Sequence, residues 1–436
     1  MCRTCLHLPV SLRRRRARNV STRMAAMPDQ LPSSRAHGRS AAKWVLMLGA
    51  LAALPAFTVD MYLPSLPDVA RELGSTDTLA QLTISAMLVG GGVGQLVIGP
   101  LSDRFGRRTP LLWGLVLQVV TSILCAVATD MGVLIALRLL QGFCNAACGV
   151  AAVAVVRDRF VGAEAARILS RLMLVIGVAP MLAPTLGSAI AAHTSWRWIF
   201  AVLALLGVVL GLVVLLVMPE TLPPARRRPG GARSALTGYG TLLRDRQFMA
   251  LAVIPGLGMA VLMSYVVGSP FVFQEHFGLG KGQFALLFAV NGLGLVVSAQ
   301  INAALVRRVA PVRLLRAGLV LQALCAVLLL VVAVTEAGGL LGLLVVLWCV
   351  LAFQGLIPAN ASALAMSRHG EIAGSAAAVI GAVQSGVSGL VSPLVGLLGG
   401  GAVAMSVVML AAVLGAIVVL AAATPAFRKG GWHLAA

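Results

Sequence analysis

Polar residues along this chain are confined to short intervals between long apolar runs. Six runs lie in the first half: Trp44 to Leu63, Leu79 to Ile98, Thr109 to Ala128, Val133 to Val155, Leu169 to Ala191 and Trp198 to Met218. Six more follow: Phe248 to Gly268, Phe284 to Leu305, Leu314 to Val334, Gly339 to Asn360, Ala373 to Leu398 and Val403 to Ala423. Each is close to the ~20 residues that an α-helix needs to cross the hydrocarbon core of a bilayer. Within that core only helices and closed barrels satisfy every backbone group. The pattern therefore predicts an all-α membrane protein with twelve transmembrane helices. A Pro-, Arg- and Gly-rich linker over residues 220–247 separates a six-helix bundle at 43–219 from another at 248–423, with tails at 1–42 and 424–436.

Composition narrows the class. Of 436 residues, 59% are hydrophobic and only 11% charged, which excludes a soluble domain. Lys and Arg collect on the cytoplasmic side of membrane proteins. With the N-terminus placed inside, all but four of the 34 Lys and Arg fall on that side, the exceptions being Arg71, Arg197 and Lys281 opposite and Arg138 within a run. Both termini are thus expected in the cytoplasm of a cell whose inner, plasma membrane the chain crosses. The net charge of +20 follows from this asymmetry and from the tail run Arg13 to Arg16. It is not the compact basic patch of a nucleic-acid-binding domain, so the lipid bilayer is an expected partner and nucleic acid is not.

Residues 1–42 contain no apolar stretch able to act as a signal peptide, and their Arg- and Ser-rich composition predicts disorder. Met24 and Met27 are alternative starts. Five of the seven cysteines fall in apolar runs, and Cys2-x-x-Cys5 lacks a second ligand pair, so neither a metal site nor a disulfide framework is expected.

The most informative polar interval is Gly99-Pro-Leu-Ser-Asp103-Arg104-Phe-Gly106-Arg107-Arg108, between the second and third runs. Gly99 and Pro100 are expected to stop the second helix and Gly106 to let the link turn. Asp103, held among Arg104, Arg107 and Arg108, can pair with one of them or face the positive end of a helix. Asp158, in Arg157-Asp158-Arg159 on the same side, is the nearest candidate partner for these arginines. The same residues would also serve as a solvated basic turn that only sets topology.

Of the 14 acids in the chain, only Asp60 falls within a run, in Thr58-Val-Asp60-Met-Tyr62-Leu-Pro64. An ionisable group there costs about 2.5 to 3.5 kcal/mol on insertion scales, and such residues normally face a bundle interior and carry function. At 1.5 Å per residue it lies about 6 Å below the outer surface, where it could instead be wet and help to end the helix. Arg138, in Arg138-Leu-Leu-Gln141-Gly142-Phe-Cys-Asn145, lies about 8 Å below the same surface. The two opposite charges at one level can form a buried pair that protonation of the acid would release; alternatively Arg138 snorkels to the headgroups. Gln141 and Asn145 continue its polar face at helical spacing. Together with Tyr62, and with Tyr265 and Gln354 from the second half, they are candidates to line a substrate cavity, or else to hydrogen-bond between helices. The fifth run carries Gly177-Val-Ala-Pro180-Met-Leu-Ala-Pro184-Thr-Leu-Gly187, whose small residues allow close packing and whose prolines bend a helix.

The spacing G-x-x-x-D-R-x-G-R-R resembles the loop signature of the major facilitator superfamily. With T-V-D60-M-Y-L-P and R138-L-L-Q-G, the chain over roughly residues 44–423 resembles the Bcr/CflA branch of bacterial drug/proton antiporters. The resemblance implies two parallel six-helix repeats around a midplane cavity and alternating access. It also implies a cytoplasmic gate latched by Gly99, Asp103, Arg104, Gly106, Arg107, Arg108 and Asp158, and proton coupling through Asp60 and Arg138. Gly177, Pro180, Pro184 and Gly187 resemble an antiporter signature with an altered core. The implied function is export of a small hydrophobic drug, bicyclomycin- or chloramphenicol-like, in exchange for protons, by a monomer. Export of a metabolite such as a sugar or nucleoside is the alternative. No Walker pattern is present, so the proton gradient, with no bound cofactor, is the expected energy source. No H-E-x-x-H or G-x-S-x-G pattern supports an enzyme.

Overall fold

The computed structural model describes residues 34–227, 231–367 and 369–424. Residues 1–33 with Cys2, Cys5, Met24 and Met27, and the tail beyond Thr424, lie outside them. The chain forms two units, one ending at Trp44 and one over Val45–Ala436. The described part of the first is the opening of helix α1 (Ser34–Asp60), and the second holds the remaining helices.

Twelve helices are long and apolar enough to cross a membrane, and no strand occurs among the described residues. After α1 come α2 (Asp77–Phe105), α3 (Arg108–Ala126), α4 (Met131–Arg159), α5 (Gly162–His193) and α6 (Arg197–Val217). The linker carries a helix of its own, Gly231–Arg244. The second half comprises α7 (Arg246–Pro270), α8 (Lys281–Leu305), α9 (Pro311–Thr335), α10 (Gly339–Gln354), α11 (Ala373–Val391) and α12 (Ala402–Ala423). Polar residues flanking the runs act as caps. Asp130 accepts from Val133 N at 2.9 Å, and Asp245 from Gln247 N and Phe248 N at 2.9 and 3.1 Å, taking up backbone donors that helix starts leave orphaned.

Three runs are subdivided in a way the hydrophobic pattern did not show. Helix α1 ends at Asp60, and the chain continues through a 3₁₀ turn, Leu63–Ser65, into a short helix, Leu66–Glu72. Helix α10 breaks at Gly355 and resumes as Ile357–Met366. Helix α11 ends at Val391, and a short helix, Leu394–Leu397, follows. Beyond the seventh run, α7 passes into a π-helical segment, Phe271–His276.

One expectation is overturned. Gly99 and Pro100 do not stop the second helix, since α2 continues to Phe105 with Pro100 inside it. Proline removes the bond to the carbonyl four residues earlier, here that of Leu96. The Tyr239 hydroxyl from the linker helix donates to this carbonyl at 3.1 Å, so the freed acceptor is satisfied and the helix runs on. The stop falls at Gly106, where φ is +96° and a Cβ would stand 2.3 Å from Glu220 Oε2. Helix α2 packs on α4 within the first half and on α11 of the second, and α5 packs on α8, so these two pairings join the halves.

Candidate functional site

The two ends of the helix bundle are built differently. At the end carrying the Asp103 loop, here the basic end, Arg107 is the centre of an ion network. Its Nη1 lies 2.6 Å from Asp103 Oδ1 and its Nε 2.7 Å from Asp158 Oδ2, and Nη1 also donates to Ser102 Oγ at 3.2 Å. Its side chain is only 11% exposed. Burial works against the charge, but the hydrogen bond and charge of Asp158, then those of Asp103, outweigh it and hold the guanidinium above its ordinary value. Glu220, an acid just beyond α6, accepts from Arg107 N at 2.9 Å and Arg108 N at 3.2 Å and so caps the start of α3. Its burial would raise its pKa, yet backbone donors from Leu222, Arg107 and Arg108, with the charge of Arg227, hold it below the ordinary value. The Arg108 guanidinium reaches Leu215 O, and that of Arg104 stands 5.0 Å from the Phe105 ring centre. The sequence placed Asp158 beside the arginines but did not single out Glu220; its signal is an acid directly after the sixth run, on the same side as the loop.

At the opposite, far end, polar contacts cross between the halves. Lys281 Nζ, at the start of α8, pairs with Asp68, which also pairs with Arg71 at 2.5 Å. Gln274 Nε2 donates to Pro64 O at 3.2 Å and Ser188 Oγ to Lys281 O at 2.9 Å. Ser85 and Ser392 hydroxyls lie 3.1 Å apart. Gly187 of α5 meets the break after α1, where a Cβ would stand 1.9 Å from Met61 O; no larger residue permits that approach. Gly177, on the same helix, faces Val296 of α8, and α5 remains one helix through Pro180 and Pro184.

Between the ends, Arg138 is fully buried and does not snorkel. It also makes no ion pair with Asp60. Its Nη1 donates to Thr58 O at 3.0 Å and Gln141 Oε1 at 2.7 Å, and its guanidinium lies 5.0 and 5.5 Å from the ring centres of Tyr62 and Phe200. Gln141 in turn donates to Ser122 Oγ at 2.8 Å, and Gln118 donates to Ser122 and Thr58 hydroxyls, each at 3.3 Å. The predicted pair is thus replaced, in this structure, by neutral acceptors and aromatic faces, which stabilise a buried cation by about 2 kcal/mol or more when desolvated. Asp60 is 5% exposed and interacts electrostatically with Arg138 and, across the halves, with Tyr265.

A cavity of about 800 Å³ runs from the middle of the bundle to the basic end. Val59, Met87 and Asn145 line its inner part, and Asp103, Arg157, Arg226, Tyr239 and Glu371 its mouth. Of the predicted cavity residues, only Asn145 lines it. Tyr62 and Gln141 are packed in the Arg138 network. The Tyr265 hydroxyl accepts from Asn291 Nδ2 at 3.1 Å while its ring stacks on Phe288, and Gln354 Oε1 accepts from Gln322 Nε2 at 3.0 Å. Gln95 and Ser385, not anticipated from the sequence, do line the cavity. No cluster of potential metal ligands occurs among the described residues.

A twelve-helix bundle in two halves, with a cavity open at one end and closed across the halves at the other, has the architecture of a membrane transporter. Residues 46–393 match the model of the Major Facilitator Superfamily, and the chain belongs to that family. It is 36% identical over 383 residues to the uncharacterized MFS-type transporter YdgK of Bacillus subtilis, spanning 87% of this chain and 95% of that one. It is 30% identical over 355 residues to the bicyclomycin resistance protein homolog of Haemophilus influenzae, spanning 81% and 88%. A 241-residue stretch is 31% identical to the multidrug resistance protein MdtL of Escherichia coli O157:H7, spanning 55% and 61%. Among solved structures, the partially occluded inward-open xylose transporter XylE of E. coli superposes with a TM-score of 0.70 over 88% of this chain and 97% of that one, at 14% identity, a likeness of fold. The protein is therefore a multi-pass inner-membrane transporter of small molecules and not an enzyme.

Proposed function

We propose that this transporter exports a small hydrophobic drug in exchange for protons, with its basic end and both termini in the cytoplasm. The observation that carries the reading is the juxtaposition of a cavity open at the basic end with a buried acid, Asp60, directly after the lining residue Val59. The relatives named for bicyclomycin and multidrug resistance favour drug as cargo. In this reading the drug enters from the cytoplasm or inner leaflet. Opening of the far end exposes Asp60, which takes a proton from outside, and the loaded acid resets the cycle. Arg138, already held by Thr58 O and Gln141, answers the change of charge on Asp60 without an ion pair to break. A proton falling through about 100 mV supplies about 2.3 kcal/mol, enough for a roughly fortyfold gradient of a neutral drug. The transporter acts as a monomer and binds no cofactor.

Accumulation of radiolabelled chloramphenicol in an exporter-deficient bacterial host tests this. Cells making the protein should hold several-fold less drug than controls, and a protonophore should abolish the difference. Equal accumulation across a panel that also includes bicyclomycin and lipophilic dyes would remove the drug-export reading.

A further inference from the structure

Among the described residues, the cavity wall contains one buried polar side chain with nothing to bind. Asn145 is 2% exposed, and neither its Nδ2 nor its Oδ1 has a hydrogen-bond partner. Leaving a buried carboxamide unsatisfied costs about 1–3 kcal/mol per group, whereas an apolar residue of similar shape would cost nothing. Its neighbours on α4 supply no remedy, because the lining residues Gly142, Ala146 and Gly149 carry no side-chain donor or acceptor and the Gln141 carboxamide one turn back is engaged with Arg138 and Ser122. The other carboxamide in the wall is committed: Gln95 Nε2 reaches Ser385 Oγ at 3.5 Å, and its Oε1 occupies the space a Cβ on Gly381 would take.

Formal charge in the lining is confined to the mouth. Asp103, Arg107, Arg157, Asp158, Arg226 and Glu371 all lie at the basic end. Along α4, Asn145 precedes Arg157 by three turns, about 18 Å at 1.5 Å per residue. Asp60 is not among the lining residues. A guest in the inner chamber therefore meets mostly apolar walls, the Gln95 and Ser385 side chains already bonded to each other, and one uncommitted donor and acceptor pair, that of Asn145. An isolated cation there would lose its hydration without gaining a counter-charge.

We infer that Asn145 is the substrate anchor of the inner chamber, and that the chamber takes uncharged guests presenting a donor and an acceptor side by side, as an amide does, against an apolar body. This rests on the exporter reading and specifies its cargo: neutral amphiphiles rather than lipophilic cations. It also explains why an unsatisfied carboxamide is kept in the wall. The empty site is less stable than an apolar one, and the guest supplies the missing hydrogen bonds.

Equilibrium binding to the purified full-length protein in lipid nanodiscs tests the inference, with radiolabelled chloramphenicol as the neutral amide probe and tetraphenylphosphonium as the cation. Wild type should bind chloramphenicol, and an equal concentration of tetraphenylphosphonium should not displace it. Asn145→Leu should weaken binding at least tenfold while leaving the melting temperature of the empty protein unchanged or raised. That combination separates an anchor from a structural residue, and Asn145→Ala should repeat the loss of binding should the leucine not fit. Wild-type affinity retained in both variants would overturn the inference. So would displacement by the cation, or wild type binding neither probe. The exporter reading fails on a different result, the absence of protonophore-sensitive exclusion of any drug from cells, so the two failures are distinguishable.

Discussion

The basic end and the far end both use ion pairs, but they connect different things. At the basic end, Arg107 joins Asp103 and Asp158, and Glu220 caps α3, all within the first half. At the far end, Lys281 of the second half reaches Asp68 of the first, and Gln274 and Ser188 add further bonds between the halves. Contacts within one half can persist while the halves rock against each other; contacts between halves must break when that end opens. The basic-end cluster is therefore a brace in this structure and the far-end contacts are a clasp. A latch between the halves at the basic end, as the family resemblance implies, would need a second-half partner. Glu371 lines the same cavity mouth as Asp103, Arg107 and Arg157 and is placed to approach them on closure.

The comparison breaks most sharply at Arg107. Arg107→Met removes the cation shared by Asp103, 44% exposed, and Asp158, 16% exposed, and a loss of about 1.5–3 kcal/mol is expected, the range for hydrogen bonds to charged groups. Thermal unfolding should show it directly, and uptake into vesicles should fall at least tenfold. A variant as stable as wild type would mean that the cluster braces nothing.

The clasp is weaker and acts on populations. Asp68 and Lys281 are 31% and 30% exposed, so their pair contributes about 1 kcal/mol or less, yet that shifts a two-state equilibrium by up to about fivefold. Lys281→Gln should lengthen spin-label distances across the far end with little change in melting temperature, and the swap Asp68→Lys with Lys281→Asp should restore them. Failure of the swap would make the pair a spectator.

The smallest effect is at Glu220. Its folded-state pKa lies below the ordinary 4.5, so its contribution to stability is fully present above about that pH and is lost as pH falls through the folded value. Glu220→Gln should lower stability slightly at neutral pH and remove this part of the acid slope below about pH 4.5, so that variant and wild type converge in acid. An identical slope in the variant would deny the cap its role.

Which of these features the sequence revealed depends on how local they are. All twelve spans follow from run length, because a continuous apolar run of about 20 residues crosses a bilayer only as a helix. The Asp158 partnership was legible because the acid follows the fourth run at its basic end, on the same side as the arginines. The breaks after Asp60 and at Gly355 were not, since both lie inside apolar stretches and reflect packing against other helices, as at Met61 against Gly187. Pro100 reads as a helix stop because its missing donor is local, whereas the hydroxyl that compensates belongs to Tyr239, 143 positions from the Leu96 carbonyl it serves. Arg138 and Asp60 share a depth, but depth does not determine which atom an arginine meets. Thr58 O, Gln141 and two aromatic rings surround it, and none of these carries the charge that made the pair attractive in sequence. Among the predicted cavity residues, Asn145 reached the wall and Tyr62, Gln141, Tyr265 and Gln354 were drawn into packed networks, a difference of rotation that polarity does not encode.

Coupling through Asp60 is tested most directly by proton movement in everted membrane vesicles. A pH gradient is established, and chloramphenicol and other neutral drugs are added to vesicles containing wild type or Asp60→Asn at matched levels. Proton-coupled export predicts that drug dissipates the gradient in wild type and leaves it intact in the variant. Dissipation of equal size in both would contradict the account, leaving Asp60 as a residue that only ends its helix.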